Sequence, residues 1–181
     1  RRLVGELERG TRGRGGRIVF LAFGNEPERL ARGLQIAGGD MGGGVAGFYL
    51  FEENPGRLQR IAAYGLADSA AAAPSFGLGE GLVGQCAQEC KTVTLSDLPA
   101  NYLRIASGLG AAAPTQAVAL PLSSAGTLLG VLEFATFRAF QSKEQALLDE
   151  LLPVVAMSLE VLQRNLRTQE LLGQTQEQAR Q

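Results

Sequence analysis

The chain has 181 residues, enough for one domain with extensions. Hydrophobic residues make up 45% and charged residues 19%, a balance that fits a folded core, and no apolar run reaches the roughly 18 residues that span a bilayer. The formal net charge is -1, and the one basic cluster, Arg12, Arg14 and Arg17, sits among glycines without aromatics, which argues against nucleic acid as a partner.

Histidine is absent. Haem or metal sites with an imidazole ligand are therefore excluded, as are Ser-His and Cys-His nucleophiles, and no cofactor is expected. The start, Arg1 to Glu6, lacks the apolar stretch of a signal peptide, so a cytoplasmic domain is expected, in a parent protein that could still carry a membrane anchor.

In chain order, Leu3, Val4 and Leu7 fit a short helix, and Gly10 to Arg17 breaks any regular element. Residues 1–25 thus read as an extension or linker, with the apolar run Arg17 to Phe23 open to either strand or helix. Pro27 suits a first helical turn, and Leu30, Leu34 and Ala37 repeat on one face until Gly38-Gly39, predicting an amphipathic helix over Glu26 to Ala37. The glycines at 42, 43, 44 and 47 lack the Gly-Lys-Ser/Thr triplet of a phosphate loop and read as a flexible connection.

Val45 to Glu52 and Arg57 to Tyr64 predict a hairpin across Asn54-Pro55-Gly56, where Pro fixes φ and Gly permits a positive one. Ser69 to Pro74 is an alanine-rich connection into a helix over Glu80 to Cys90, with Glu80 placed to complement the helix dipole. Cys86 and Cys90 share a face of that helix at i and i+4, and packing is the favoured role for both rather than metal or redox chemistry. Thr92 to Leu95 is a short strand, Ser96 to Pro99 ends it, a helical turn follows through Tyr102 to Ile105, and Ser107 to Thr115 reads as a covering loop.

A second hairpin pairs Gln116 to Leu122 with Thr127 to Ala135. The near-continuous apolarity of the latter predicts a central strand covered on both faces. Five strand candidates with at least two intervening helices suggest an α/β or α+β sandwich, an antiparallel-rich sheet flanked by helices in three α/β/α layers.

The last third carries one long helix. Leu148, Leu152, Val155, Leu159, Leu162 and Leu166 step by four and three, as in a coiled-coil seam, and are the residues expected to meet a second copy; the alternative over Leu147 to Leu159 is a single wide apolar face packed wholly within the domain. Leu147, Leu151, Val154 and Val161 form a second stripe, Pro153 is expected to kink the helix, and residues 165–181 should project as a signalling helix.

The succession Gly79-Glu80-Gly81-Leu82-Val83-Gly84-Gln85-Cys86-Ala87, Leu95-Ser96-Asp97-Leu98-Pro99, Ala119-Leu120-Pro121-Leu122, Gly126-Thr127-Leu128-Leu129-Gly130-Val131-Leu132-Glu133, and Phe140 leading into Leu147 to Leu162, resembles a GAF domain. The resemblance covers residues 26–164 and points particularly to the GAF domains of bacterial sensor and hybrid histidine kinases. It implies a central antiparallel sheet of five or six strands, a small-molecule pocket on one sheet face beneath the loops, and parallel dimers through terminal helices. Gly38 to Gly44, and the run before Pro27, depart from the family's usual entry helix. The Asn-Lys, Phe and Asp-Glu pattern of cyclic-nucleotide-binding members is not found, nor is a cysteine matching a bilin attachment site. Members that reduce free methionine sulfoxide use cysteines in a loop where Arg104-Ile105-Ala106-Ser107-Gly108 has none, so an enzyme is not expected here.

Together these readings describe a sensor module of a bacterial two-component or related signalling protein. It would bind an unidentified small molecule, form a homodimer and relay occupancy to an output domain of the same chain. Tyr102, Ser107, Thr115 and Gln116 are the candidate ligand contacts, as polar groups at an apolar site under a lid. The alternative is a constitutive dimerisation spacer with a filled pocket and no ligand.

Overall fold

A computed structural model describes residues 44–66 and 75–178 of the chain. The helix expected over Glu26 to Ala37, the run before it and the connection Ser69 to Pro74 lie outside the described residues. Six strands form one antiparallel sheet in the order β3-β2-β1-β8-β7-β4, from β1 (Gly44–Glu52), β2 (Arg57–Tyr64), β3 (Ser75–Gly77), β4 (Val93–Ser96), β7 (Gln116–Ser124) and β8 (Thr127–Thr136). Helix α1 (Gly81–Glu89) packs on one face, and helix α2 (Ser142–Gln178) on the other. This is the expected α+β sandwich with six strands.

Strand periodicity sorts the core into two layers. On β7, Val118, Leu120 and Leu122 join Phe48, Phe134, Leu148, Ala156 and Leu159 on the α2 side. Ala119, in contrast, joins Tyr49, Leu58, Val131, Val83 and Cys86 on the α1 side. Central β8 is covered on both faces, as its apolarity predicted. The β1–β2 hairpin turns through a cis Asn54–Pro55 bond, with Gly56 at φ +79° and its amide on the Glu52 carbonyl at 2.9 Å.

Three short strands escaped the sequence reading. β3 is held to β2 by Arg57, whose Nε donates to Ser75 Oγ at 2.6 Å and whose guanidinium donates to the Ser75 carbonyl at 2.8 Å. The expected loop over 107–115 is instead largely a small hairpin, β5 (Ile105–Ser107) with β6 (Gly110–Ala112).

Glu80 acts differently from a helix cap. Its carboxylate accepts from the Gly77 amide at 2.7 Å and faces Arg57 at 3.4 Å, so it fastens the β3–α1 turn. Cys86 is buried as expected, whereas Cys90 is exposed and ends α1 in the left-handed region at φ 50°. Helix α2 continues through Pro153 as one element. Its start is fixed by Glu144, which accepts from the Gln141 amide at 2.7 Å and pairs with Arg138.

Candidate functional site

A cavity of about 300 Å³ opens on the sheet face opposite α2. Its floor is β1 and β8. Its cover is the segment between β4 and β5, where the Tyr102 amide turns back onto the Pro99 carbonyl at 2.9 Å. Val45, Ala135, Leu66 and Leu103 supply apolar wall, and Tyr49, Arg60, Tyr102 and Glu133 supply the polar groups. Beside it, Leu98, Leu103 and Ile105 pack over Val45, Ala117 and Ala135, which holds the covering segment to the sheet.

Glu133 stands at the centre of the floor because central β8 places every second residue on this face. Its cross-strand neighbours are Gly47 on β1 and Ala119 on β7, two of the smallest side chains available. A Cβ at position 47 would lie 2.9 Å from the Tyr49 ring, so the glycine makes room for that ring. The Tyr49 hydroxyl then donates to Glu133 Oε2 at 2.9 Å. Tyr49 is itself locked by packing, only 4% exposed and edge-on to Phe76 at 5.7 Å between ring centroids.

Arg60 lies opposite Tyr49 on β2, next to an irregularity in that strand. Pairing runs Phe48 to Ala62 and then Tyr49 to Arg60, leaving Ile61 as the extra residue. Such a bulge changes which side chains face the site. Arg60 shares the α1-side face with Leu58 and Tyr49, and the bulge turns Ala62 to the α2 face.

Burial raises the Glu133 carboxyl above the ordinary carboxylate range, opposed by the Tyr49 hydrogen bond and the nearby Arg60 charge. Burial, and then the facing Glu133, raise the Tyr49 and Tyr102 phenols. An acid whose folded pKa is raised contributes stability that is present below its unfolded value and lost as pH rises through the folded one. Glu133→Gln is therefore expected to raise the melting temperature at neutral pH, with the gain shrinking as pH falls toward the ordinary glutamate value of about 4.3. Paired thermal scans of both proteins across that range check this.

Of the residues expected to contact a ligand, Tyr102 lines the cavity, 40% exposed. The other three lie elsewhere. Ser107 is tied into the β5–β6 turn, accepting from the Leu109 amide at 3.2 Å. Thr115 is exposed and holds the Thr136 carbonyl. Gln116 falls on the α2 side of β7 by alternation with Val118, where its buried Oε1 has no recorded partner. Glu133, Tyr49 and Arg60 were missed, although a carboxylate inside the apolar run Leu128 to Ala135 was a legible signal.

The expected dimer seam is also placed. Leu148 and Leu159 are 3% and 7% exposed, and Leu152 and Val155 pack beside them against the sheet. A residue covered within its own protomer is not available to a partner, so this stripe is the core-facing one. Leu162 and Leu166 have side chains outside those described. The outward stripe is Val154, Met157 and Val161, at 37%, 62% and 59% exposure.

Among the described residues no group of acidic or cysteine side chains forms a metal site, and no helix is long and apolar enough to cross a membrane.

The GAF domain family model matches residues 25–160. No curated protein sequence matches the chain. Among solved structures, the chain is similar to the GAF domain of an Acinetobacter phosphoenolpyruvate-protein phosphotransferase at 20% identity and a TM-score of 0.67, covering 83% of this chain and 93% of that one. It is similar to the free methionine-R-sulfoxide reductase of Neisseria meningitidis, solved with its substrate, at 20% identity and a TM-score of 0.63, covering 83% and 89%. The A. aeolicus nlh2 GAF domain in an inactive state is alike at 17% identity and a TM-score of 0.60, covering 87% and 98%. At these identities the structures speak for the fold, and the family model, which spans most of the sequence, speaks for the family. The chain belongs to the GAF domain family, whose members are generally regulatory modules that bind small molecules.

Proposed function

We propose that this domain is a regulatory sensor that binds a small molecule in the cavity between the sheet and the 97–105 segment and relays occupancy through α2. The carrying observation is the alternation of β8 at residues 133–135. Glu133 and Ala135 line the cavity, while Phe134 between them packs into the α2 layer and lies edge-on to Phe140 at 6.1 Å, just before the helix begins. A ligand that shifts this strand has a direct mechanical route to the helix.

An open cavity of about 300 Å³ favours this reading over a spacer with a filled pocket, since ligand sites begin at roughly that volume. Binding without catalysis is the companion proposal. The reductase relative is an enzyme, but here the cavity wall carries no thiol, and Cys86 on α1 is buried between that helix and the sheet with its pKa pushed up to about 12. The thiolate needed for nucleophilic or redox work is thereby suppressed.

In this reading α2 pairs with α2 of a second copy and leads to an output domain on the same chain. The parent would be a cytoplasmic or membrane-anchored bacterial signalling protein of the histidine kinase type. Val154, Met157 and Val161 supply the three-and-four spacing of a helix seam. A 37-residue helix whose far half extends past the core-facing stripe is marginal unless another surface covers it. The double variant Met157→Glu and Val161→Glu is expected to change a two-copy mass to a one-copy mass in light scattering. Its secondary structure should be retained, because both side chains are exposed.

Native mass spectrometry tests the sensor itself. The expected spectrum carries a small-molecule adduct, co-purified or taken up from a pooled metabolite set and released on denaturation. A protein that takes up no mass from such a set contradicts the reading.

A further inference from the structure

We propose that the cavity selects a compact organic molecule bearing a primary ammonium group, which Glu133 receives at the centre of the floor. This rests on the reading that the cavity is a ligand site and names the class of its occupant.

The first ground is the clearing around the carboxylate. Glu133 sits between Gly47 and Ala119, so neither directly opposed residue extends a long side chain across its carboxylate. The glycine serves a second purpose, because it admits the Tyr49 ring that delivers a hydroxyl to Oε2. Glu133 is thus oriented by a rigid, buried tyrosine rather than left to choose its rotamer.

The second ground is acceptor capacity. An ionised carboxylate accepts up to about four hydrogen bonds, and Tyr49 supplies one. Charge-assisted bonds from an ammonium are about twice as strong as neutral ones and are strengthened further at a water-poor site. At the Glu133 end of the floor an anionic group would face the carboxylate, with Arg60 as its one cationic neighbour in the lining, and a neutral hydroxyl would gain only the weaker bond. The volume of about 300 Å³ restricts the rest of the ligand to a small, partly apolar body against Val45, Leu66, Leu103 and Ala135.

The third ground is electrostatic. Tyr49 and Arg60 stabilise the carboxylate, yet burial outweighs them. A bound cation would make up that deficit, so ammonium binding should weaken as acid protonates Glu133. The titratable and charged groups that face Glu133 are Tyr49 from β1, Arg60 from β2, Tyr102 from the covering segment and Cys86 from α1. Burial raises the Tyr49 and Tyr102 phenols and the Cys86 thiol, so all three keep their protons on acidification and the pH dependence would report Glu133.

Three shape-matched probes test the proposal by amide NMR titration of the full chain: 3-methylbutylamine, 3-methylbutanol and 3-methylbutanoate. The amine is expected to move the amides of Gly47, Glu133 and Ala135 and to bind about tenfold more tightly than the alcohol. That advantage should vanish in Glu133→Gln and shrink on acidification of the unaltered protein, a second readout that does not depend on the variant folding. Equal binding of amine and alcohol, or tighter binding of the butanoate, overturns the ammonium assignment while leaving the cavity a ligand site. Failure of all three probes to move the cavity amides overturns both.

Discussion

Phe134→Ala is expected to lower stability by about 3–5 kcal/mol, the range for truncating a buried aromatic. The ring is 2% exposed and sits in the layer shared by β7, β8 and α2, so its loss opens a cavity that no neighbouring element is free to fill. The contact with Phe140 is lost as well. Urea denaturation of both proteins measures the difference. Phe134→Leu, which keeps most of the volume, should recover most of the loss. Where Phe134→Leu remains folded, the account expects ligand binding to persist while its effect on α2 weakens, because the side chain that couples floor to helix has lost its ring.

Gly84→Ala is expected to cost about 1–3 kcal/mol, against the usual direction for a helical glycine. Alanine in a helix interior ordinarily gains close to 1 kcal/mol over glycine. Position 84 reverses the sign because an added Cβ would collide with the Gly77 carbonyl oxygen and press on the Gly79 amide nitrogen at 3.2 Å. Both obstacles are backbone, and the same turn is tied by the Gly79 amide to the Gly84 carbonyl at 2.8 Å. Helix α1 would have to lift from the sheet. Gly108→Ala is the control, since an added Cβ there meets nothing within 4 Å and the change should be near neutral. Thermal melts of the three proteins decide it.

Much of the fold was legible because long strands carry their own parity. Val118, Leu120 and Leu122 alternate with Ala117 and Ala119 over enough residues to specify both faces, and the turn chemistry at 54–56 and 123–126 brackets the strands. β3, β5 and β6 have three residues each, too few for any period to show, and their pairing rests on distant partners such as Leu58 opposite Phe76. The helix offered a seam and a second stripe beside it, and Leu151 of the second is buried together with Leu148 and Leu159 of the first. How wide a face the sheet covers depends on where α2 lands after the Arg138–Glu144 corner, a tertiary fact that spacing does not contain.

The site was less legible for a related reason. Ser107 and Thr115 drew attention as polar residues in a covering loop, but Ser107 closes its own turn onto the Gly110 carbonyl and the Thr115 hydroxyl donates to the Thr136 carbonyl of β8. Gln116 was within reach of the sequence, since its parity with Val118 assigns it to the helix side. Glu133 was too, as a lone carboxylate on a strand predicted to be buried on both faces. Arg60 was not, because its pairing with Tyr49 and the segment that covers it are tertiary facts that the local sequence does not contain.

The central claim is that the cavity and α2 respond together. Amide NMR of the full chain against a pooled set of small metabolites tests it most directly. The expected result is a compound that moves Gly47, Glu133 and Ala135 and, at the same concentrations, moves Val154, Met157 and Val161 on the far side of the sheet. Compounds that bind only at other surfaces, or that saturate the cavity amides without any change along the helix, would contradict it.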